Sequence, residues 1–266
     1  NALYARADGS IVDPLGGMTD LLSRRVRFVG NPADRIEEDY LRALRYFRFH
    51  AQYGDPYHGV DTEALTAIAQ HLDGIARLPA ERIGAEMIKL LSASDPSPSV
   101  AAMEQSGVLM RVLPGASSLS IAPLVHFERL HGAGPDPIRR LAVLGGEDAD
   151  DRLRLSRRQR KQLADILRFI GNPVGEAEIA WRGGAGLAWD VALAKAALTT
   201  VAPSQDVADR IRAGASAEFP LSAADLMPEV TGSALGKALS RAERAWIDSG
   251  CSLNRDALIE IARKPG

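Results

Sequence analysis

The sequence has 266 residues, enough for one large domain or two to three small ones, with ordinary shares of apolar and charged residues. A net charge of −2 excludes a surface that attracts polyanions as a whole, so a nucleic-acid site must be a local basic patch. The one cysteine, Cys251, excludes an intramolecular disulfide framework and a multi-cysteine zinc site, and it suits a reducing cytoplasm.

The chain opens in a strand pattern, ALYAR, turns at Asp8-Gly9 and returns through SIVDP. Two strands alone are marginal in water, so the hairpin is expected to belong to a sheet whose other strands lie outside this sequence. DPLGGMTDL (13–21) predicts a turn and a short helix with Thr19 as its cap. RVRFVG (25–30) reads as another short strand. Beyond Asn31-Pro32 the pattern is almost entirely helical, with Asn31 or Asp34 as the first N-cap. Later helices are expected to open at Pro79, at Ser97-Pro98, at Ser156 with Gln159, at Ser222 with Asp225 and at Ser233. Gly107, Gly171 and Gly250 read as helix stops, and 95–99 and 131–137 as Pro/Gly-rich breaks. The longest apolar stretch, 187–202, contains Asp190 and Lys195 and reads as a buried helix, with no membrane span expected.

The unusual stretch is RIEEDYLRALRYFRF (35–49). Read as one helix, it places Ile36, Tyr40, Ala43, Leu44 and Phe47 within about 100° of arc, as a buried stripe. Arg42, Arg45 and Arg48 fall on the opposite side, with Asp39 at the edge of that arc and Phe49 among the arginines. The plain reading is a solvated face with an Asp39–Arg42 pair. The sharper reading concerns donors and acceptors: a carboxylate only accepts hydrogen bonds and a guanidinium only donates. Side by side they complement an amino group next to an unprotonated ring nitrogen, the edge shown by cytosine and adenine. Uracil and guanine show the reverse, and mismatch leaves buried polar groups unpaired. Arg45 and Arg48 would then meet triphosphate oxygens or further base atoms.

This stretch resembles the ED-x-x-R region of class II tRNA nucleotidyltransferases, the CCA-adding enzymes, and of the related bacterial poly(A) polymerases. Asn1-Ala2-Leu3 resembles the end of that family's Arg-Arg-Asp-Phe-Thr-x-Asn-Ala motif, and DPLGGMTDL its DP-x-GG-x-x-DL motif. LPAERIGAEMIKLL (78–91) is similar to the next family motif, and FPLSAADLM with GSALGKAL (219–239) to a weaker tail pattern. The resemblance implies a mostly α fold: the remnant of an α+β nucleotidyltransferase head sheet, followed by helical neck, body and tail. The corresponding divisions are 1–30, 31–95, 96–171 and 172–266. It implies addition of C, C and A to tRNA 3′ ends from CTP and ATP, with Asp39 and Arg42 as a protein template and Arg45 and Arg48 as further nucleotide contacts. Glu38, Asp13, Gly16, Gly17, Asp20 and Asn1 are implied as supporting residues. The family's Mg²⁺-binding carboxylates are implied to lie upstream, which would leave this chain alone inactive.

Other features carry a plain reading beside any functional one. Arg152, Arg154, Arg157, Arg158, Arg160 and Lys161 follow the acidic run 147–151 and are either self-paired surface or tRNA phosphate contacts. Asp148 and Asp150 have a D-x-D spacing, but no strand precedes them and they are not taken as metal ligands. His50, His58, His71, His126 and His131 show no metal-binding spacing, and Trp181, Trp189 and Trp246 fit core positions. Arg82 and Glu86 stand at i, i+4, which predicts a salt bridge within one helix. The rival functions are a poly(A) polymerase or an A-only or CC-only member, and, from another class, a non-catalytic RNA-binding helical protein.

Overall fold

The computed structural model describes residues 3–55, 57 and 59–264, so Asn1 and His58 lie outside the described residues. Helices make up most of it, with one small sheet. β1 (Tyr4–Ala5) pairs antiparallel with β2 (Ile11–Val12), Tyr4 opposite Val12. Gly9 closes the turn at φ 84°, and Ser10 N–H donates to Asp8 Oδ1 at 2.9 Å. The expected strand at 25–30 is absent: that segment is irregular. No further strand among the described residues offers its backbone a ladder, so side chains hold it instead. Arg25 pairs with Asp61 at 3.1 Å, Arg27 with Asp20 at 2.8 Å, and Phe28 stacks on Tyr46 at 5.4 Å.

Between hairpin and irregular segment, Gly16 at φ 67° leads into α1 (Gly17–Leu22). Thr19 does not cap it. The Asp13 carboxylate reaches forward and accepts from Gly17 N–H at 2.7 Å and Met18 N–H at 2.8 Å, satisfying donors that the first turn leaves open. α2 (Pro32–Glu38) is capped by Asn31, which accepts from Ala33 N–H at 3.0 Å. The single helix expected over 35–49 is two. Asp39 is extended (φ −159°, ψ 106°), and α3 (Leu41–Tyr53) starts afresh behind it. The buried stripe survives the break, with Ile36, Ala43, Leu44 and Phe47 at most 2% exposed.

α4 (Thr62–Gln70) packs on α2, and a short α5 (Leu72–Ile75) follows. α6 (Ala80–Leu91) lies against α3 and carries the LPAERIGAEMIKLL motif; α7 (Ser97–Gln105) packs on α3 from another side. Next come α8 (Val108–Val112), α9 (Ile121–Leu130) and α10 (Pro137–Leu144), the last packed on α6. A buried ionic knot joins them. Glu128 of α9 accepts from Arg139 Nη2 at 2.7 Å and from Arg140 Nη2 at 2.6 Å. Arg140 Nη1 also donates to the Leu91 carbonyl at 2.7 Å and to that of Ala93, closing the open C-terminal end of α6.

α11 (Ala149–Arg152) precedes α12 (Arg157–Ile170), which opens with the expected capping box: Ser156 N–H donates to Gln159 Oε1 at 2.9 Å and Gln159 N–H to Ser156 Oγ at 3.4 Å. α13 (Glu176–Thr199) breaks its helical path at Gly184 (φ 85°). α14 (Val207–Ser216), a 3₁₀ turn at Ala223–Asp225, α15 (Ser233–Asp248) and α16 (Arg255–Arg263) complete the chain. The chain divides into two compact units, one of residues 1–164 with 196–201, the other of 165–195 with 202–266. The core of the second gathers Leu226, Ala242, Trp246 and Leu258, with Trp181 edge-on to Trp246 at 5.2 Å, so these two tryptophans serve packing. No helix is long and apolar enough to cross a membrane among the described residues.

Candidate functional site

The break between α2 and α3 presents Asp39. Its Oδ1 accepts from Leu41 N–H at 3.1 Å, and its Oδ2 from Arg82 Nη2 of α6 at 2.8 Å. Partial burial pushes this carboxyl up. The Arg82 hydrogen bond, the Leu41 N–H and the charges of Arg82 and Arg42 outweigh that and hold it below the usual carboxylate range. Asp39 is therefore ionised, and each oxygen keeps a lone pair for another donor. No Asp39–Arg42 ion pair forms. Arg42 instead pairs with Glu38 and donates to the Arg35 carbonyl at 3.2 Å. Glu38 also takes Arg35 at 2.6 Å, and these two arginines, Arg35 first, lower its pKa.

Arg82 and Glu86 do not bridge each other. Arg82 turns to Asp39, and Glu86 accepts from Arg48 Nε at 2.5 Å. Both pairs cross to α6, which packs against α3 and so lies beside the break at Asp39 and the face that carries Arg48. Arg48 is the most enclosed of the three arginines, its guanidinium 4.1 Å over the Phe49 ring. Arg45 is exposed, makes no ion pair among the described residues and lies 5.7 Å from the same ring.

A cleft of about 1220 Å³ lies over this face, lined by Arg24, Arg35, Arg42, Arg45, Phe49 and Tyr53 among others. Gly17 and Asp20 line it as well; Asp39 and Arg48 do not. His50, also lining it, is buried: its Nδ1 lies 2.7 Å from Ser99 Oγ and its Nε2 3.1 Å from the Gly59 carbonyl. Among the described residues no three His, Cys, Asp or Glu side chains gather as for a metal ion. Asp150, of the D-x-D spacing, pairs with Arg160 at 3.1 Å, and Asp151 pairs with the same arginine at 2.7 Å. The basic cluster is thus divided. Arg160 is self-paired and Arg154 lies 3.5 Å from Glu81, whereas Arg152, Arg157 and Arg158 are exposed without an ion pair among the described residues. Lys161 is exposed too. Sequence reasoning missed Arg82 and Glu86 as partners of the arginine face. Their signal was present, an unbalanced acid beside the arginines in one motif and an arginine-acid pair in the other.

Residues 59–119 match the family model described as "Probable RNA and SrmB- binding site of polymerase A". The chain is 36% identical over 145 residues to CCA tRNA nucleotidyltransferase 1, mitochondrial, of Mus musculus, a match covering 54% of this chain and 33% of that protein. It is 39% identical over 95 residues to the CCA-adding enzyme of Lacticaseibacillus paracasei, covering 36% and 23%. The fold matches the Bacillus stearothermophilus CCA-adding enzyme in complex with CTP at TM-score 0.67 and 24% identity, over 93% of this chain and 67% of that one. The chain belongs to the class II CCA-adding enzyme and poly(A) polymerase family. A second family structure, the Thermotoga maritima CCA-adding enzyme complexed with tRNA, matches at TM-score 0.62 and 16% identity, which speaks for the fold alone. This family member matches about a third or less of the length of those two curated relatives.

Proposed function

We propose that the chain provides base selection and tRNA contact to a tRNA nucleotidyltransferase that adds C, C and A without a nucleic-acid template. The observation that carries this reading is the ionised Asp39, fixed by Arg82 and the Leu41 N–H, with the Arg42 charge close by and an arginine-lined cleft alongside. Asp39 accepts from the amino group of cytosine or adenine, and Arg42 donates to the ring nitrogen once a nucleotide competes with Glu38 for it. Arg45, exposed in the cleft, takes triphosphate oxygens. Arg48 holds the face of α3 on α6 through Glu86 and donates its Nη1 to Gln52, which leaves Nη2 for a nucleotide. Asp13, Gly16, Gly17 and Asp20 shape the turn and helix beside the cleft, and Glu38 orients Arg42. The exposed members of the 152–161 cluster contact tRNA phosphates, and residues 1–30, 31–95, 96–171 and 172–266 serve as head, neck, body and tail.

In the reaction, the tRNA 3′-hydroxyl attacks the α-phosphorus of CTP or ATP and pyrophosphate leaves. Mg²⁺, held by carboxylates outside the described residues, would help deprotonate the hydroxyl and neutralise the triphosphate. The residues of this chain do not perform that step; they admit the base and hold the RNA.

The test is nucleotide addition to a tRNA lacking its 3′ end, with the natural gene product and this chain side by side. Two C's and one A from the gene product, and loss of CTP and ATP binding on Asp39→Ala with the melting temperature retained, are expected. Unchanged binding in that variant would sink the template role. A-only addition would favour a poly(A) polymerase or a specialised member, a reading that the polymerase A model over 59–119 keeps open.

A further inference from the structure

Phe49 stands on the arginine side of α3, where an apolar ring has no core to fill. Arg45, Phe49 and Tyr53 follow at intervals of four, so they form one stripe along the helix. The Phe49 and Tyr53 rings lie 5.9 Å apart at a 36° tilt. Tyr53 is 63% exposed, and its hydroxyl makes no hydrogen bond among the described residues. All three line the cleft. The exposed Tyr53 ring, backed by half-buried Phe49, which already carries the Arg48 guanidinium over it, and set near Arg45, which makes no ion pair among the described residues, is a surface on which an unpaired nucleobase stacks.

Position along the helix separates this stripe from the base-reading pair. Phe49 is seven residues from Arg42, about 10 Å along the axis. One base held against Asp39 and Arg42 does not span that distance, so a base on Phe49 and Tyr53 is a second one. Polarity agrees. The start of α3 carries the positive end of the helix dipole and two arginines and suits phosphate, whereas Tyr53 ends the helix, where exposed carbonyls disfavour it. The second base therefore belongs at the aromatic end, away from Arg42 and Arg45, which take the incoming nucleotide, with Arg24, exposed in the same cleft, as a further cation for backbone phosphate.

We infer that the Phe49–Tyr53 pair is a stacking subsite for an unpaired base at the 3′ end of a single-stranded RNA, distinct from the incoming nucleotide, which Arg45 meets one turn earlier. The inference rests on the nucleotidyltransferase reading and extends it to where the acceptor strand lies.

The test uses the whole chain and two probes: a short RNA hairpin with three unpaired 3′ nucleotides, and CTP. Tyr53→Ala is expected to weaken hairpin binding about tenfold and to leave CTP binding unchanged, with Tyr53→Phe close to wild type. A hairpin with one overhang position abasic should lose as much on the wild-type chain and nothing more on Tyr53→Ala, because both remove the same stack. Tyr53 is mostly exposed, so the fold is expected to survive, and its melting temperature checks that. Three results would overturn the subsite: hairpin binding unchanged by Tyr53→Ala, hairpin and CTP binding weakened in step, or abasic and Tyr53→Ala losses that simply multiply. A wild-type chain that binds neither probe would remove the nucleotidyltransferase reading itself and this inference with it. Binding of both probes with Tyr53→Ala silent would remove the inference alone.

Discussion

If Asp39 reads a base as proposed, its carboxylate serves that role over a wide pH range. Its folded-state pKa is depressed, so the acceptor is present above the ordinary carboxylate value and is lost only as pH falls through the lower, folded one. CTP binding, followed by calorimetry from about pH 8 to about pH 5, is expected to show no loss assignable to this group; in Arg82→Ala the loss should begin at higher pH. Glu128 is the opposite kind of residue, 2% exposed and surrounded by two guanidinium groups. Removing it strands two buried cations, so Glu128→Ala is expected to cost about 3 to 5 kcal/mol in urea unfolding. Asp39 could be singled out from its own motif, although its partner Arg82, on α6, could not. Glu128 could not be, because its partners stand on another helix at a spacing that no periodic pattern marks.

Among the elements, the hairpin, the Asn31 cap and the Ser156–Gln159 box could be read directly, since each is a short-range hydrogen-bond pattern. The break at Asp39 could not: the apolar stripe runs on through both helices, and only the backbone shows that α2 ends there. The strand expected at 25–30 had the right alternation and lacked a partner. Close packing between elements was equally hidden. A Cβ on Gly84 of α6 would lie 1.9 Å from the Leu153 carbonyl oxygen, so Gly84→Ala is expected to lose about 1 to 3 kcal/mol. Gly171, with open space around it, should accept alanine within about 0.5 kcal/mol in the same denaturant assay. His50 links α3 to α7 and to Gly59. Its Nε2 faces a carbonyl and so carries the proton, and Nδ1 accepts from Ser99. Burial depresses its pKa, more than the Gly59 bond raises it. The unfolded chain then binds the proton first, and stability is lost as pH falls from about 6.5 towards the folded value. The urea midpoint of the native protein should drop over that window, and that of His50→Gln should drop less.

At the scale of the whole molecule, a net charge of −2 hides a local excess of cations. Arg160 is neutralised by its acidic neighbours, whereas Arg152, Arg157 and Arg158 are exposed. If these three meet phosphates, replacing them with alanine should weaken tRNA binding evenly across sequences and reduce the slope of log K against log salt by about 2 to 3. An unchanged slope would return the cluster to ordinary solvated surface. Fold class was legible at this scale because helical periodicity dominates the chain. The division into two units was not, because it cuts through α12 and α13, whose sequence patterns run on across it.

The knot at Arg140 has a genetic consequence. It seals the end of α6, and α6 carries Arg82 and Glu86, which hold Asp39 and Arg48 in place. Damage to the knot would therefore reach Asp39 and Arg48 when warmth loosens α6. A screen for conditional growth should return temperature-sensitive alleles at Glu128 and Arg140, whereas alleles at Asp39, if it reads the base as proposed, should fail at every temperature.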